Sequence, residues 1–318
     1  AIINTSDVYF IQCIKPKGRC FMKPNSPIMM YLAKNGMIDD FISYGVYMRY
    51  AAGLSYFNSA TLMAQRRGVG FAATEVTWQK HFGREIKPGA NPLVIMKPFA
   101  PLDLYFEACD TYSPAGEALP EWVAEDTEHI PHSPHMPFEL NVDSIVKMLN
   151  NHGIYYDERE MGERANGTME YHLAPLKVGV CHNKDYEYIT THYAMVVNSK
   201  ISPVEKAATI FHEIGHLLCG HLSEDEELKK INWIKLSIPK RDASKFSLEQ
   251  EEYEAETACM LIMNGLGYEY DRSKYLDGYL INGQPPEYDL GMSIAAADQF
   301  ISWMIADTEL RYYVPNKL

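Results

Sequence analysis

The segment TIFHEIGHLLCGHL, residues 209–222, concentrates three histidines and a glutamate. His212 and His216 are four apart, so on a helix they leave one face and can hold a single ion through their ring nitrogens. Glu213 lies about 100° further round such a helix, where its carboxylate reaches a water on that ion. This is the H-E-x-x-H arrangement of zinc hydrolases, and it points to one catalytic Zn2+ with Glu213 as general base. A catalytic zinc takes three protein ligands and keeps a fourth position open, so one more ligand has to come from elsewhere.

Several residues compete for that role. His221 follows His216 by five, but the longer metzincin signature needs glycine at 219 and histidine at 222, where Cys219 and Leu222 stand. His221 is therefore a bystander or an outer partner of the site. Cys219 lies one turn beyond His216, yet thiolates typify structural zinc, and it reads as core. The acidic run SEDEE at 223–227 follows too closely and reads as a solvated loop. EEYEAETACMLIM offers a better geometry: Glu252, Glu256 and Cys259 share one helical face, and Ala255 is small enough for close helix approach. Glu252 becomes the third ligand, and Glu256, one turn on, can hydrogen-bond the second nitrogen of a histidine and fix its tautomer. Glu251 would point about 100° away from that face.

These residues need two helices to carry them. Ser202, Pro203 and Glu205 form a capping box with proline at the first helical position, so the first helix starts there and runs to about Gly220. Ala207, Ile210, Phe211, Ile214, Leu217 and Leu218 give it an apolar surface. Ser247 with Gln250 opens the second helix, and Asn264 with Gly265 closes it. Upstream, NVDSIVKMLNNHG reads as a short helix, and HYAMVVN (192–198) as a strand, either an ordinary core strand or the edge on which an extended substrate pairs. After Gly265, SIAAADQFISWMIAD reads as a helix covering the core. The N-terminal part mixes helical spacing in PIMMYLAKNGMIDDFISYGVYMRYAA with two short strands, NPLVIMKPF and LDLYFEACDT. A proline-rich connector is expected over 111–138, which divides the chain into 1–110, that connector, and 139–318. Within it EHIPHSPHMP spaces His129, His132 and His135 by three, which suits polyproline II and an exposed linker. No site is assigned there.

HEIGHLLCGHL and the E-x-x-A-E segment Glu252–Glu256, at this spacing, resemble the ImmA/IrrE-type metallopeptidases, a gluzincin branch. The resemblance implies zinc held by His212, His216 and Glu252, with Glu213 as the base. It also implies an α+β, zincin-like metallopeptidase domain with a small sheet beside the metal helices, preceded by a smaller α+β part. Characterised members are intracellular proteases that cut helix-turn-helix repressors, often in mobile elements or stress responses; an obvious helix-turn-helix is lacking in this chain. Gluzincins usually add an oxyanion donor, for which His192, Tyr193 and Tyr253 are candidates by proximity to the motifs.

The stretch from SYFNSATLMAQRRG to NPLVIMKPF looks, more loosely, like the DNA-binding half of ArdC antirestriction proteins. Basic and aromatic residues interleave there, among them Tyr56, Phe57, Arg66, Arg67, Phe71, Trp78, Lys80, Arg84 and Lys87. Stacking faces with cations along a backbone suit single-stranded nucleic acid. This sets up an alternative function, a single-stranded-DNA-binding antirestriction or regulatory protein whose zinc site is structural or conditionally active.

The bulk properties fit either reading. The 318 residues are 47% hydrophobic, enough for sizeable cores. The net charge of -13 is uneven: residues 1–100 carry 12 Lys/Arg against 5 Asp/Glu, and the remainder 17 against 37. No stretch approaches the roughly 18 apolar residues of a membrane span, and AIINTSDVYF lacks a basic region followed by an apolar run, so a cytoplasmic protein without a membrane partner is expected. The six cysteines form no CxxC pair and read as reduced thiols.

Overall fold

The computed structural model describes residues 26–97, 100–128, 130, 139–162, 166–182, 185–222, 238–239 and 241–307. The chain is α+β and divides into two compact units between residues 136 and 137. Among the described residues, no helix is long and apolar enough to cross a membrane.

In the N-terminal unit, helices α1 (Pro27–Lys34), α2 (Ile38–Ala52) and α3 (Tyr56–Gln65) precede a hairpin of β3 (Leu93–Lys97) and β4 (Ala100–Glu107). A short strand, β1 (Ala72–Ala73), pairs with the other side of β4. A second ladder joins β2 (Glu85–Ile86) to β5 (Thr111–Tyr112). Helix α3 starts where Ser55 accepts the Asn58 N–H, and α4 (Glu75–Phe82) where Thr74 accepts that of Thr77. Both satisfy amide donors that a helix start leaves unpaired.

The basic and aromatic residues of this unit are mostly spent on its own architecture. Trp78 is fully buried, donates from Nε1 to the Phe106 carbonyl at 2.8 Å, and packs with Phe71 and Phe82. Arg66 joins Glu107 at 2.5 Å and Asp110 at 2.7 Å. Arg84 is held by the Thr111 hydroxyl at 2.8 Å and by the carbonyls of Thr111 and Glu117. Trp78 therefore offers no exposed face on which a base could stack, and the Arg66 and Arg84 guanidinium groups already have partners within the unit. Arg67 and Lys80 are exposed. The first part of the expected connector packs with the N-terminal unit. Trp122 packs edge-on against Phe71 at 5.4 Å, its carbonyl accepts the Tyr47 hydroxyl, and the Phe71 N–H bonds the Ala124 carbonyl. Residues 111–126 thus belong to the N-terminal unit. His129, His132 and His135 lie outside the described residues.

In the C-terminal unit, α5 (Val142–Asn151) leads through Gly153, at φ 77°, into β6 (Ile154–Arg159). Strands β7 (Gly167–His182) and β8 (Asp185–Asn198) complete a sheet ordered β6-β8-β7, with β6 parallel and β7 antiparallel to β8. HYAMVVN is therefore the central strand, and among the described residues the outer strands of the sheet are β6 and β7. The signal was in the run of four apolar residues, Ala194–Val197, which marks a strand covered on both faces. Helix α6 (Pro203–Cys219) lies against the sheet and packs on α7 (Leu248–Gly265) and α9 (Leu290–Asp307), which also pack on each other, with the short α8 (Ser273–Leu276) between those two in the chain. Phe211, Ile214 and Leu217 of α6 meet a core that includes Phe300 and Ile301 of α9, and Phe211 touches Phe300 edge-on at 5.2 Å. Each such side chain, fully buried, contributes about 1.5–3 kcal/mol of hydrophobic stabilisation.

Candidate metal centre

Local sequence fixes the two helices that carry the candidate ligands. Ser202 and Glu205 cap each other's backbone N–H groups, Pro203 occupies the first turn, and Gly220 ends α6 in the left-handed region at φ 83°. Ser247 caps α7 by accepting the Gln250 N–H. The two helices meet almost backbone to backbone: a Cβ added at Gly215 would lie 2.7 Å from the Ala255 carbonyl oxygen and 2.9 Å from its Cα. Glycine in HEIGH and alanine in the facing segment set this spacing, because any larger pair would push the helices apart.

That close approach brings His212, His216 and Glu252 together. The two Nε2 atoms are 3.1 Å apart, and Glu252 lies 3.4 Å from that of His212 and 3.7 Å from that of His216. Four donors arranged tetrahedrally at zinc–nitrogen bond lengths stand about 3.3 Å from one another. The three side chains fit that cage. Glu256 takes a different place, accepting from His212 Nδ1 at 2.7 Å and from the Tyr270 hydroxyl at 2.7 Å.

Burial pulls the His212 ring toward neutrality, but its hydrogen bonds to Glu252 and Glu256 prevail and raise its pKa to about 10. Burial would raise Glu252; the hydrogen bond from His212 and the nearby rings hold it at about 2. His216, deeply buried and beside His212 and His221, is pushed down to about 3. The Glu213 carboxyl is raised, first by burial and then by Glu252, with His212 and the Met169 N–H working against them. A proton on His212 thus does part of what a divalent ion would do, and ion binding would displace it.

Two other groups have metal-like composition: Cys219 with His221 and Glu254, and Glu107 with Cys109 and Asp110. Each already holds a guanidinium, Arg241 on Glu254 and Arg66 on Glu107 and Asp110. Among the described residues, no arginine or lysine forms an ion pair with Glu252, Glu256 or Glu213. That difference sets the His212, His216 and Glu252 group apart from the other two as a candidate to hold a metal ion.

No protein-family model, curated protein or solved structure matches the chain. The site's chemistry is read from its own donors.

Glu213 sits under the start of β7, where a Cβ at Gly167 would come within 2.4 Å of Thr209 and 3.5 Å of the Glu213 side chain. The candidate oxyanion donors named from the sequence have these surroundings. His192 Nδ1 is 2.8 Å from the His172 carbonyl, Tyr193 is buried against Tyr171, and Tyr253 is buried against Tyr288. Tyr275 of α8 is the hydroxyl placed on the cage, donating to Glu252 at 2.7 Å with its ring edge-on to His212 at 5.3 Å. Sequence reasoning missed it because α8 is a single turn with no periodic pattern. Burial and the Glu252 carboxylate push the Tyr275 hydroxyl far up, so it remains a proton donor.

Proposed function

We propose that the C-terminal unit is a zincin-like metallopeptidase domain and that the chain is a zinc-dependent endopeptidase. The observation that carries this reading is the cage itself: two histidines and one glutamate from adjacent helices, 3.1–3.7 Å between donor atoms, with no resident basic residue and a buried carboxylate beside it. His212, His216 and Glu252 hold the ion. When bound, zinc supplies a Lewis acid for the scissile carbonyl and lowers the pKa of water toward 7.

The remaining work falls to the chain's own residues. Glu213 accepts the proton of the attacking water on a carboxylate oxygen, and its raised pKa suits it to return that proton to the leaving amine nitrogen. Tyr275, a proton donor beside Glu252, is placed to hydrogen-bond the developing oxyanion. An extended substrate would pair with the outer edge of β7 near Gly167–Tyr171, which passes over Glu213. The resemblance in the two metal motifs supports a cytoplasmic protein substrate, a helix-turn-helix repressor.

The test compares the wild type with Glu213→Gln on such a repressor encoded at the same locus, with zinc content measured in both. Cleavage should fall at least about 100-fold while zinc is retained. Equal cleavage by the two proteins would remove the protease reading.

A further inference from the structure

Gly220 ends α6 in a left-handed turn, so that the next residue folds back and the His221 N–H bonds the His216 carbonyl at 3.0 Å. The turn stands the His221 ring edge-on to that of His216, centroids 5.1 Å apart, with their Nδ1 atoms at 3.0 Å. His221 Nε2 then meets Glu254 at 3.0 Å. Glu254 is fully buried and fixed from several sides: by both guanidinium nitrogens of Arg241, by the Asp289 N–H at 2.9 Å and by Gln250 at 3.3 Å. Arg241 is itself anchored, stacking over Phe246 and donating to the Cys219 carbonyl at 2.9 Å.

We infer that His221, Glu254 and Arg241 form a positioning chain that fixes the tautomer and orientation of the His216 ring for the ion, an inference that rests on the metal-centre reading above. The proton assignment follows from donor and acceptor chemistry. A ligand nitrogen needs its lone pair, so with Nε2 facing the cage His216 carries its proton on Nδ1. That N–H donates to His221 Nδ1, which must be unprotonated to accept it. The His221 proton is then on Nε2 and donates to the Glu254 carboxylate. One arrangement satisfies every nitrogen and oxygen in the series, and it leaves His221 no free nitrogen for a metal of its own. Cys219, His221 and Glu254 are therefore not a second metal site. The two ligand histidines are supported differently: His212 reaches a carboxylate directly, at Glu256, whereas His216 reaches one through an intervening imidazole.

The decisive measurement is zinc affinity, by competition with a chromophoric chelator, in the wild type, His221→Phe and His221→Gln. His221→Phe keeps a ring but removes both nitrogens, and should weaken zinc binding about 10- to 100-fold. His221→Gln offers an amide oxygen to His216 and an amide N–H to Glu254, and should recover most of that loss. A purely packing role predicts the reverse order, since phenylalanine fills the space better. Equal affinity in all three proteins, or equal loss in both variants, overturns the chain and leaves the metal centre standing; a wild type that binds no zinc overturns the metal centre itself. Histidine nitrogen NMR of the zinc-loaded wild type needs no variant. It should show His221 protonated on Nε2 and bare on Nδ1, and a proton on His221 Nδ1 would overturn the assignment.

Discussion

In the N-terminal unit, Glu107 and Asp110 close on the Arg66 guanidinium; in the C-terminal unit, Glu252 and Glu256 close on the imidazole of His212. Both places gather carboxylates in a protected interior, and both supply a cation to balance them. The cations differ in kind. A guanidinium stays charged at any physiological pH, so the Arg66 cluster is finished when the chain folds, and Glu107 uses its other oxygen to accept the Gly70 N–H at 2.7 Å. An imidazole proton can be exchanged for a metal. The same acidic ingredients therefore build a fastening in one unit and, in the function proposed above, a socket in the other, with the identity of the neutralising group marking the difference.

Removing the permanent cations should have the largest effect and should separate the two units. Arg66→Ala leaves Glu107 buried and unpaired, and should destabilise the N-terminal unit by about 3 kcal/mol in urea denaturation, with zinc affinity unchanged. Arg241→Ala should cost a similar amount in the C-terminal unit and also weaken zinc binding; wild-type affinity there would overturn the positioning chain through His221 and Glu254. Zinc itself should act on one unit only. At a concentration of 100 times Kd it should stabilise the C-terminal unit by about 2.7 kcal/mol, reversed by a chelator, and a calorimetric shift in the N-terminal unit would contradict this. Gly215→Ala tests the helix spacing. Overpacking against the Ala255 backbone should cost about 2 kcal/mol and lower zinc affinity, and a neutral result would show that the helices can separate without harm. The smallest effect is expected at Ser202→Ala, where loss of the cap should cost about 1 kcal/mol in thermal denaturation with zinc affinity intact.

The parts of the site legible in the sequence were those encoded locally. His212, Glu213 and His216 follow from spacing on one helix, and the Ser202 and Ser247 caps place that helix and its partner within a residue or so. Glu252 was legible because small Ala255 and the i, i+4 pair with Glu256 described a face that could meet the first helix. What the sequence left open or missed was encoded by turns and by long-range packing. His221, readable only as a bystander or an outer partner, depends on the reversal at Gly220, which no periodicity expresses, and Tyr275, which was missed, depends on where a single helical turn lands after α7. The burial of Trp78 was hidden for a related reason: α4 is so short that its one fully buried ring leaves no apolar stripe, and the residues around it read as a basic surface. Glu256 and Glu254 are two residues apart on α7 yet serve different histidines, a division set by the packing of the helix among its neighbours.

Strand β8 is continuous from Asp185 to Asn198, but its two halves are held differently. Tyr193–Asn198 is hydrogen-bonded to β6 on one side and β7 on the other, whereas Asp185–Thr191 pairs only with Leu176–His182 among the described residues. Thr191 marks the change, its hydroxyl bonded to the Gly153 carbonyl and accepting the Tyr193 N–H. A two-stranded ribbon is marginally stable in water, while a strand with neighbours on both sides opens only with its sheet. In hydrogen exchange this single strand should therefore behave as two segments, with backbone amides protected for long times up to Tyr193 from the Asn198 end and exchanging quickly beyond Thr191.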